Sequence, residues 1–258
     1  MDIKAYMDRI GLDPAGLDGA ELLFAMHRAH ATHIPFENLD PYFGRTVSLE
    51  PEDLFDKLVT RRRGGYCFEM NGFFCLAARQ LGFDIEGRIA RIFRGTAFGP
   101  QLHRINLARV GGETYICDVG FGGDGFVEPL LLEFGLEQPR GLETYRVMPG
   151  AGVDKSIQIL RGGKFTDLIG FMDAPSPDED FEVGNFYTSQ HPQSGFKKFI
   201  MCAIATEDGR ISLMNDRLTI RRAGAEPEQI QLPPVLDGSL KKYFGLEVKG
   251  VNAPRQVI

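Results

Sequence analysis

At 258 residues, with 43% hydrophobic and 25% charged residues, the chain has the length and composition of a soluble globular protein. It can form one large domain or two to three small ones sharing a core. A net charge of −6 argues against a broad nucleic-acid or anionic-membrane surface, and no stretch approaches membrane-spanning length. The first residues include Asp2, Lys4, Asp8 and Arg9 and lack an apolar export core. The cysteines at 67, 75, 117 and 202 form no CxxC pair, so reduced thiols in a cytoplasmic protein are expected.

The chain opens with helical patterns. Ile3, Tyr6 and Ile10 recur at helical spacing until Gly11 stops them. Asp18 with Glu21 makes a capping-box pattern ahead of Leu22, Leu23, Met26 and Ala29. Pro51, Glu52 and Asp53 suit the first turn of a third helix, with Leu54, Phe55, Leu58 and Val59 on its apolar side. The run Arg61-Arg62-Arg63 reads as cations at a helix end, where the peptide dipole favours them. A fourth helix starts near Cys67 and stops at Gly82, with Met70, Phe74, Ala78 and Leu81 on one side.

After Gly82 the period changes to two. Strands are expected near 85–93, 103–110, 114–119, 156–160 and 165–171, with Gly111-Gly112 and Gly162-Gly163 as the hairpin turns. The Pro- and Asp-rich stretch near 172–180 reads as a linker. Strands near 199–205, 211–214 and 217–222 and a helix near 237–244 complete the chain.

Chemistry concentrates at three positions. Cys67 follows Gly64-Gly65-Tyr66 at the start of a helix, where unpartnered amides and the dipole favour thiolate over thiol. A two-residue loop at Gly111-Gly112 pairs Val110 with Glu113, and therefore Ile105 with Asp118 and His103 with Gly120. In that register His103 and Asp118 are diagonal neighbours on one face, where a carboxylate can hold one ring nitrogen and leave the other for a nucleophile. A slip of one residue would separate them. Taken singly, each has a plainer reading: a small buried thiol, a strand-end histidine, a turn-capping aspartate.

Other clusters point elsewhere. His27, His30 and His33 do not share a helical face and form no HExxH pattern, so a structural or surface role is expected and no metal site. Gly120-Phe121-Gly122-Gly123 lacks full phosphate-loop spacing and reads as a turn. Cys75, Cys117 and Cys202 read as inert core.

The order of motifs resembles the arylamine N-acetyltransferase family. The matching blocks are Tyr6…Arg9-Ile10-Gly11, Ile34-Pro35-Phe36-Glu37-Asn38-Leu39, Arg63-Gly64-Gly65-Tyr66-Cys67, His103, and Asp118-Val119-Gly120-Phe121-Gly122. A later block runs from Gly184-Asn185-Phe186-Tyr187 to Pro192-Gln193-Ser194-Gly195-Phe196. The resemblance implies an α+β fold: a helical bundle over 1–82, a central β-barrel over 83–180 and an α/β lid over 181–258, with a papain-like or transglutaminase-like cysteine centre. Carried over, Cys67 is the acyl-accepting nucleophile, His103 its base and Asp118 the orienting acid. Phe36 and Phe121 match acceptor-pocket positions, Gly99 and Gly122 coenzyme-binding ones, and Glu37 with Arg63 a supporting ion pair. Acetyl-coenzyme A is implied as cosubstrate and an arylamine or arylhydrazine as acceptor, with no permanently bound cofactor, no metal, no nucleic acid and no membrane partner.

Two departures from the family pattern stand out. Phe98-Gly99-Pro100-Gln101-Leu102 lacks the threonine often found before the histidine, and the chain ends soon after Leu246, which implies a more open cleft. The same triad also fits an amide synthase closing a macrolactam, a peptidase-like or transglutaminase-like hydrolase, and a non-catalytic scaffold that binds coenzyme A or an aromatic ligand.

Overall fold

The computed structural model describes residues 1–254. Helix α1 (Ile3–Ile10) is capped by Asp2, which accepts the Ala5 amide at 3.1 Å, and ends at the left-handed Gly11. Helix α2 (Gly19–His33) follows. The Asp18 capping box does not form: Asp18 is extended and makes no side-chain cap, because the left-handed Gly19 (φ +48°) turns the chain between it and the first helical amides. A two-residue strand β1 (Phe36–Glu37) and a single helical turn α3 (Leu39–Tyr42) come next. Helix α4 (Pro51–Phe55) runs into a π-helical turn over Asp56–Thr60, and α5 (Cys67–Gln80) closes the helical part. Its N-terminus is fixed by Glu69, which accepts the Tyr66 amide at 3.1 Å.

Eight strands then build a nearly closed barrel sheet. They are β2 (Asp84–Phe93), β3 (Phe98–Val110), β4 (Glu113–Cys117), β5 (Leu130–Leu131), β6 (Gln138–Arg140), β7 (Glu143–Gly150), β8 (Val153–Arg161) and β9 (Lys164–Phe171). Their order is β5-β4-β3-β2-β9-β8-β7-β6, all neighbours antiparallel. The β3–β4 hairpin has the expected register, Val110 opposite Glu113 through Asn106 opposite Cys117, because Gly111 and Gly112 both take positive φ. The two edges are joined by side chains of β6, with Arg140 donating to the Pro129 carbonyl at 3.0 Å. Buried Gln138 on β6 accepts from the Leu131 amide at 2.8 Å and donates to the Leu131 carbonyl at 2.9 Å, so a carboxamide substitutes for a strand pairing at the seam.

The stretch read as a linker ends at Pro177. Helix α6 (Asp178–Gln190) starts there, with Asp178, Glu179 and Asp180 in its first turn, where acidic residues complement the dipole. The same acidic composition that suggested a loop is an N-terminal helix signal. A 3₁₀ turn (Gly195–Lys197) leads into β10 (Met201–Ala205), β11 (Gly209–Met214), β12 (Arg217–Arg222) and β13 (Glu228–Gln231), and α7 (Asp237–Phe244) follows. β1 joins this second sheet beside β10, so the Pro35-Phe36-Glu37 segment ties the helices to the C-terminal sheet. Asn38 secures the junction, donating to the Phe196 and Phe199 carbonyls and accepting the Met201 amide.

Three apolar clusters fill the molecule: one among α1, α2 and α5, one inside the barrel, and one between the second sheet and α7. Among the described residues no helix is long and apolar enough to cross a membrane.

Replacing Gln138 by Ala removes both seam hydrogen bonds and takes from the Leu131 amide its Gln138 acceptor, while the Leu131 carbonyl keeps the Glu133 amide. The expected loss is about 2 kcal/mol of unfolding free energy, read by urea denaturation; an unchanged midpoint would mean the seam is held elsewhere.

Candidate active site

Cys67 is the first residue of α5, and the first intrahelical bond is donated by Met70 to the Tyr66 carbonyl, so the amides of residues 67–69 lie ahead of the ladder. The turn before it is set by contact with the chain at Pro35: the Gly65 amide donates to the Pro35 carbonyl and the Glu37 amide to the Gly65 carbonyl. A Cβ on Gly64 would stand 2.0 Å from the Pro35 oxygen, so only glycine fits there. A buried charge cluster lies below. Arg63 pairs with Glu37 and Asp40, and Lys57 bridges Asp40 and Glu69, each at 2.6 Å. Burial opposes ionisation of Asp40, but Lys57 and Arg63 outweigh it and hold the carboxyl at about 2. Arg9 reaches in from α1 and donates to the Leu58 and His33 carbonyls.

His103, on β3, is buried and its Nε2 lies 2.6 Å from Asp118 Oδ2. Cys67 lies close by: its thiol donates to the carbonyl of Leu102, the residue before His103, at 3.8 Å, and Cys67 and His103 line the same cavity. Burial alone would push His103 down, yet the Asp118 charge and the Cys67 contact push it up to about 10. The carboxylate is equally constrained. Its Oδ1 accepts from Asn71 Nδ2 at 2.8 Å and from the Gly120 amide at 2.9 Å. Burial opposes its charge, and His103 with these donors holds it below the usual carboxylate range. The backbone amide of Asp118 donates to His27 Nε2 at 3.1 Å.

The three residues read from the sequence as a nucleophile, base and acid therefore meet at one point, although Cys67 comes from the helices and the other two from the barrel. Two residues in the same cluster were given no part in the site by the sequence. Asn71 sits one turn beyond Cys67 on α5 and holds Asp118, the Arg104 carbonyl and the Val119 amide; the i, i+4 spacing was its visible signal. Gly120 is needed by close approach, since a Cβ there would lie 2.8 Å from Cys67 Cα.

A cavity of about 490 Å³ opens over Cys67 and His103. Phe36, Phe121 and Gly122 line it, joined by Phe196, which packs edge-to-face on both Phe36 and Tyr66. Phe121 also stands edge-on to the His103 ring at 5.6 Å. The second sheet forms the opposite wall, through Ser212, Arg217 and Thr219 among others. Gly99 lies on β3, where its carbonyl accepts from Arg91, and is not among the lining residues. Cys75, Cys117 and Cys202 are buried free thiols, each pushed up by burial. Among the described residues no group of three or more His, Cys, Asp or Glu side chains is placed to hold a metal ion.

Residues 20–253 match the family model described as N-acetyltransferase. The arylamine N-acetyltransferase of Mycolicibacterium smegmatis is 38% identical, over 96% of this chain and 93% of its own length. The solved structure of the arylamine N-acetyltransferase from Salmonella typhimurium superposes with a TM-score of 0.90 at 33% identity, covering 96% of this chain and 92% of that one. The Mycobacterium marinum arylamine N-acetyltransferase, solved in complex with CoA, superposes with a TM-score of 0.88 at 34% identity, covering 95% and 93%.

The opposite shifts of His103 and Asp118 give the pair a pH signature. A depressed carboxyl stabilises the fold above its ordinary value of 3.8, and a raised imidazole stabilises it fully below 6.5. The pair's contribution is therefore largest between those values, shrinks as pH rises past 6.5, and is gone above about 10. Urea unfolding of wild type and Asp118→Asn across this range should show a stability difference that narrows with rising pH; a constant difference would contradict the charged pair.

Proposed function

The chain belongs to the arylamine N-acetyltransferase family and is an acyltransferase, and from that premise we propose that it moves an acetyl group from acetyl-coenzyme A to an arylamine or arylhydrazine through an S-acetyl-Cys67 intermediate. The observation that carries this reading is that Cys67 and His103, the latter paired with buried Asp118, line one aromatic-walled cavity together.

In the first half-reaction the Cys67 sulfur, its proton held by His103, attacks the thioester carbonyl carbon. The amides at the start of α5 are oriented to receive the developing oxyanion. The bond to the coenzyme sulfur breaks, and the departing thiolate takes the proton from His103. One thioester replaces another, so the step is close to balanced in energy. In the second half-reaction the amine nitrogen attacks the acetyl carbon on Cys67. It loses its proton to His103, and the amide departs as the sulfur recovers its electron pair. Asp118 keeps the imidazole in the tautomer that faces Cys67 and stabilises its charged form. Phe36, Phe121 and Phe196 offer faces and edges to an aromatic acceptor, and Gly122 lets the wall of the cavity approach Phe36. The coenzyme occupies the open side of the cavity in this reading.

Two measurements test it. Without an acceptor, the protein should exchange label between free coenzyme A and acetyl-coenzyme A, as a covalent half-reaction requires; absence of exchange alongside normal amide formation would point to direct transfer in a ternary complex. Asp118→Asn should lower acetyl transfer by roughly 10³-fold in a folded protein, and near-normal turnover would refute the assigned role.

A further inference from the structure

The mechanism uses Asp118 through its side chain, yet the backbone of that residue also needs an explanation. The β3–β4 ladder ends at Cys117, so the Asp118 amide falls beyond the last strand pairing in a region closed to water. Its acceptor is a histidine from a distant helix. His27 on α2 takes the Asp118 amide on Nε2 at 3.1 Å, and its Nδ1 lies 3.0 Å from the Val127 carbonyl. An amide can only donate and a carbonyl can only accept, so the ring is neutral with its proton on Nδ1. The residue is fully buried, stacked on Phe126 with planes 12° apart and edge-on to Phe74.

Between those two anchor points runs the segment that forms one wall of the cavity, including Gly120, Phe121, Gly122, Gly123 and Asp124. We propose that His27 is a positioning residue that staples both ends of this loop with one imidazole: Nε2 fixes the backbone from which Asp118 reaches His103, and Nδ1–H fixes the Val127 end and with it the acceptor wall. This rests on the reading of Cys67, His103 and Asp118 as the reacting centre. Burial pushes the His27 imidazole down to about 4, so it stays neutral over the working range. The charged groups around it, Asp118, Glu128 and Arg140, and the neighbouring His30 do not overturn that.

The two bonds can be removed separately. In His27→Asn the amide nitrogen falls near the position of Nδ1 and keeps the Val127 bond while the Asp118 amide loses its acceptor. In His27→Gln the side-chain oxygen reaches the position of Nε2 and keeps the Asp118 bond while the Val127 end is released. The readouts are the pH profile of Cys67 alkylation by iodoacetamide, which needs no turnover, and the acceptor KM with an arylamine. His27→Asn should move the His103-dependent step of the profile by about one pH unit and lower kcat, with little change in acceptor KM. His27→Gln should keep the wild-type profile and raise acceptor KM several-fold. Both variants keeping wild-type profile and KM while melting at lower temperature would make His27 a core residue only, and so would two variants with identical defects. If His27→Asn does not fold, His27→Gln alone carries the test through its KM with an intact profile. His103→Ala is the control. An alkylation profile unaltered by that change would defeat the reading of the triad itself, whereas a changed profile there with an unchanged one in His27→Asn defeats only the role of His27.

Discussion

A carboxylate with no access to water sits where the helices meet the barrel, and the arrangement of the molecule follows from keeping it charged. Ionised Asp118 would be prohibitively costly in an apolar interior without compensation. The compensation comes from three parts of the chain, the His103 imidazole on β3, the Asn71 carboxamide on α5 and the Gly120 amide beyond β4, while His27 of α2 accepts the Asp118 backbone amide. The bonds to Asn71 and His27 form only if helices and barrel dock in one orientation. That orientation also brings Cys67 and His103 to one cavity.

The support below Cys67 follows the same logic at a larger scale. Glu37, Asp40, Lys57, Arg63 and Glu69 form a nearly water-free alternation of charge beneath the Gly64-Gly65 turn. Such a network is a weak source of net stability, since desolvation offsets most of the attraction, but removal of any member strands its partner. Its effect is geometric. Glu69 fixes the Tyr66 amide and so the start of α5, and Glu37 accepts the Leu39 amide and so holds the junction of β1 with the C-terminal sheet. Cys67 and the Phe36 wall of the cavity are thus set from one charge cluster.

Local rules made some of this legible in the sequence. The glycine pair at 111–112 admits a two-residue turn and so fixed the register that places His103 beside Asp118. The glycines before Cys67 marked a helix start. The approach of Cys67 to that hairpin was not legible from spacing, because it depends on packing between α5 and β3 rather than on any local pattern. The motif order resembling the arylamine N-acetyltransferases supplied what spacing lacked. Asp18 failed as a cap because the conformation of Gly19 overrides the side-chain pattern. Helix α6 was hidden by acidic and proline residues that serve loops and helix starts equally well. The strand over Glu143–Gly150 went unread because Pro149 and Gly150 break its alternation. His27 looked like a structural histidine, and nothing in the sequence links it to residues 118 and 127.

The central claim is that Cys67 carries the acyl group. The most direct measurement is the intact mass of the protein after incubation with acetyl-coenzyme A alone, followed by peptide mapping. One acetyl group on Cys67, lost on addition of an arylamine, is the expected result. An unmodified protein whose Cys67 still reacts with a simple alkylating agent would contradict it, because the thiol would then be reactive without being the acceptor of this acyl group.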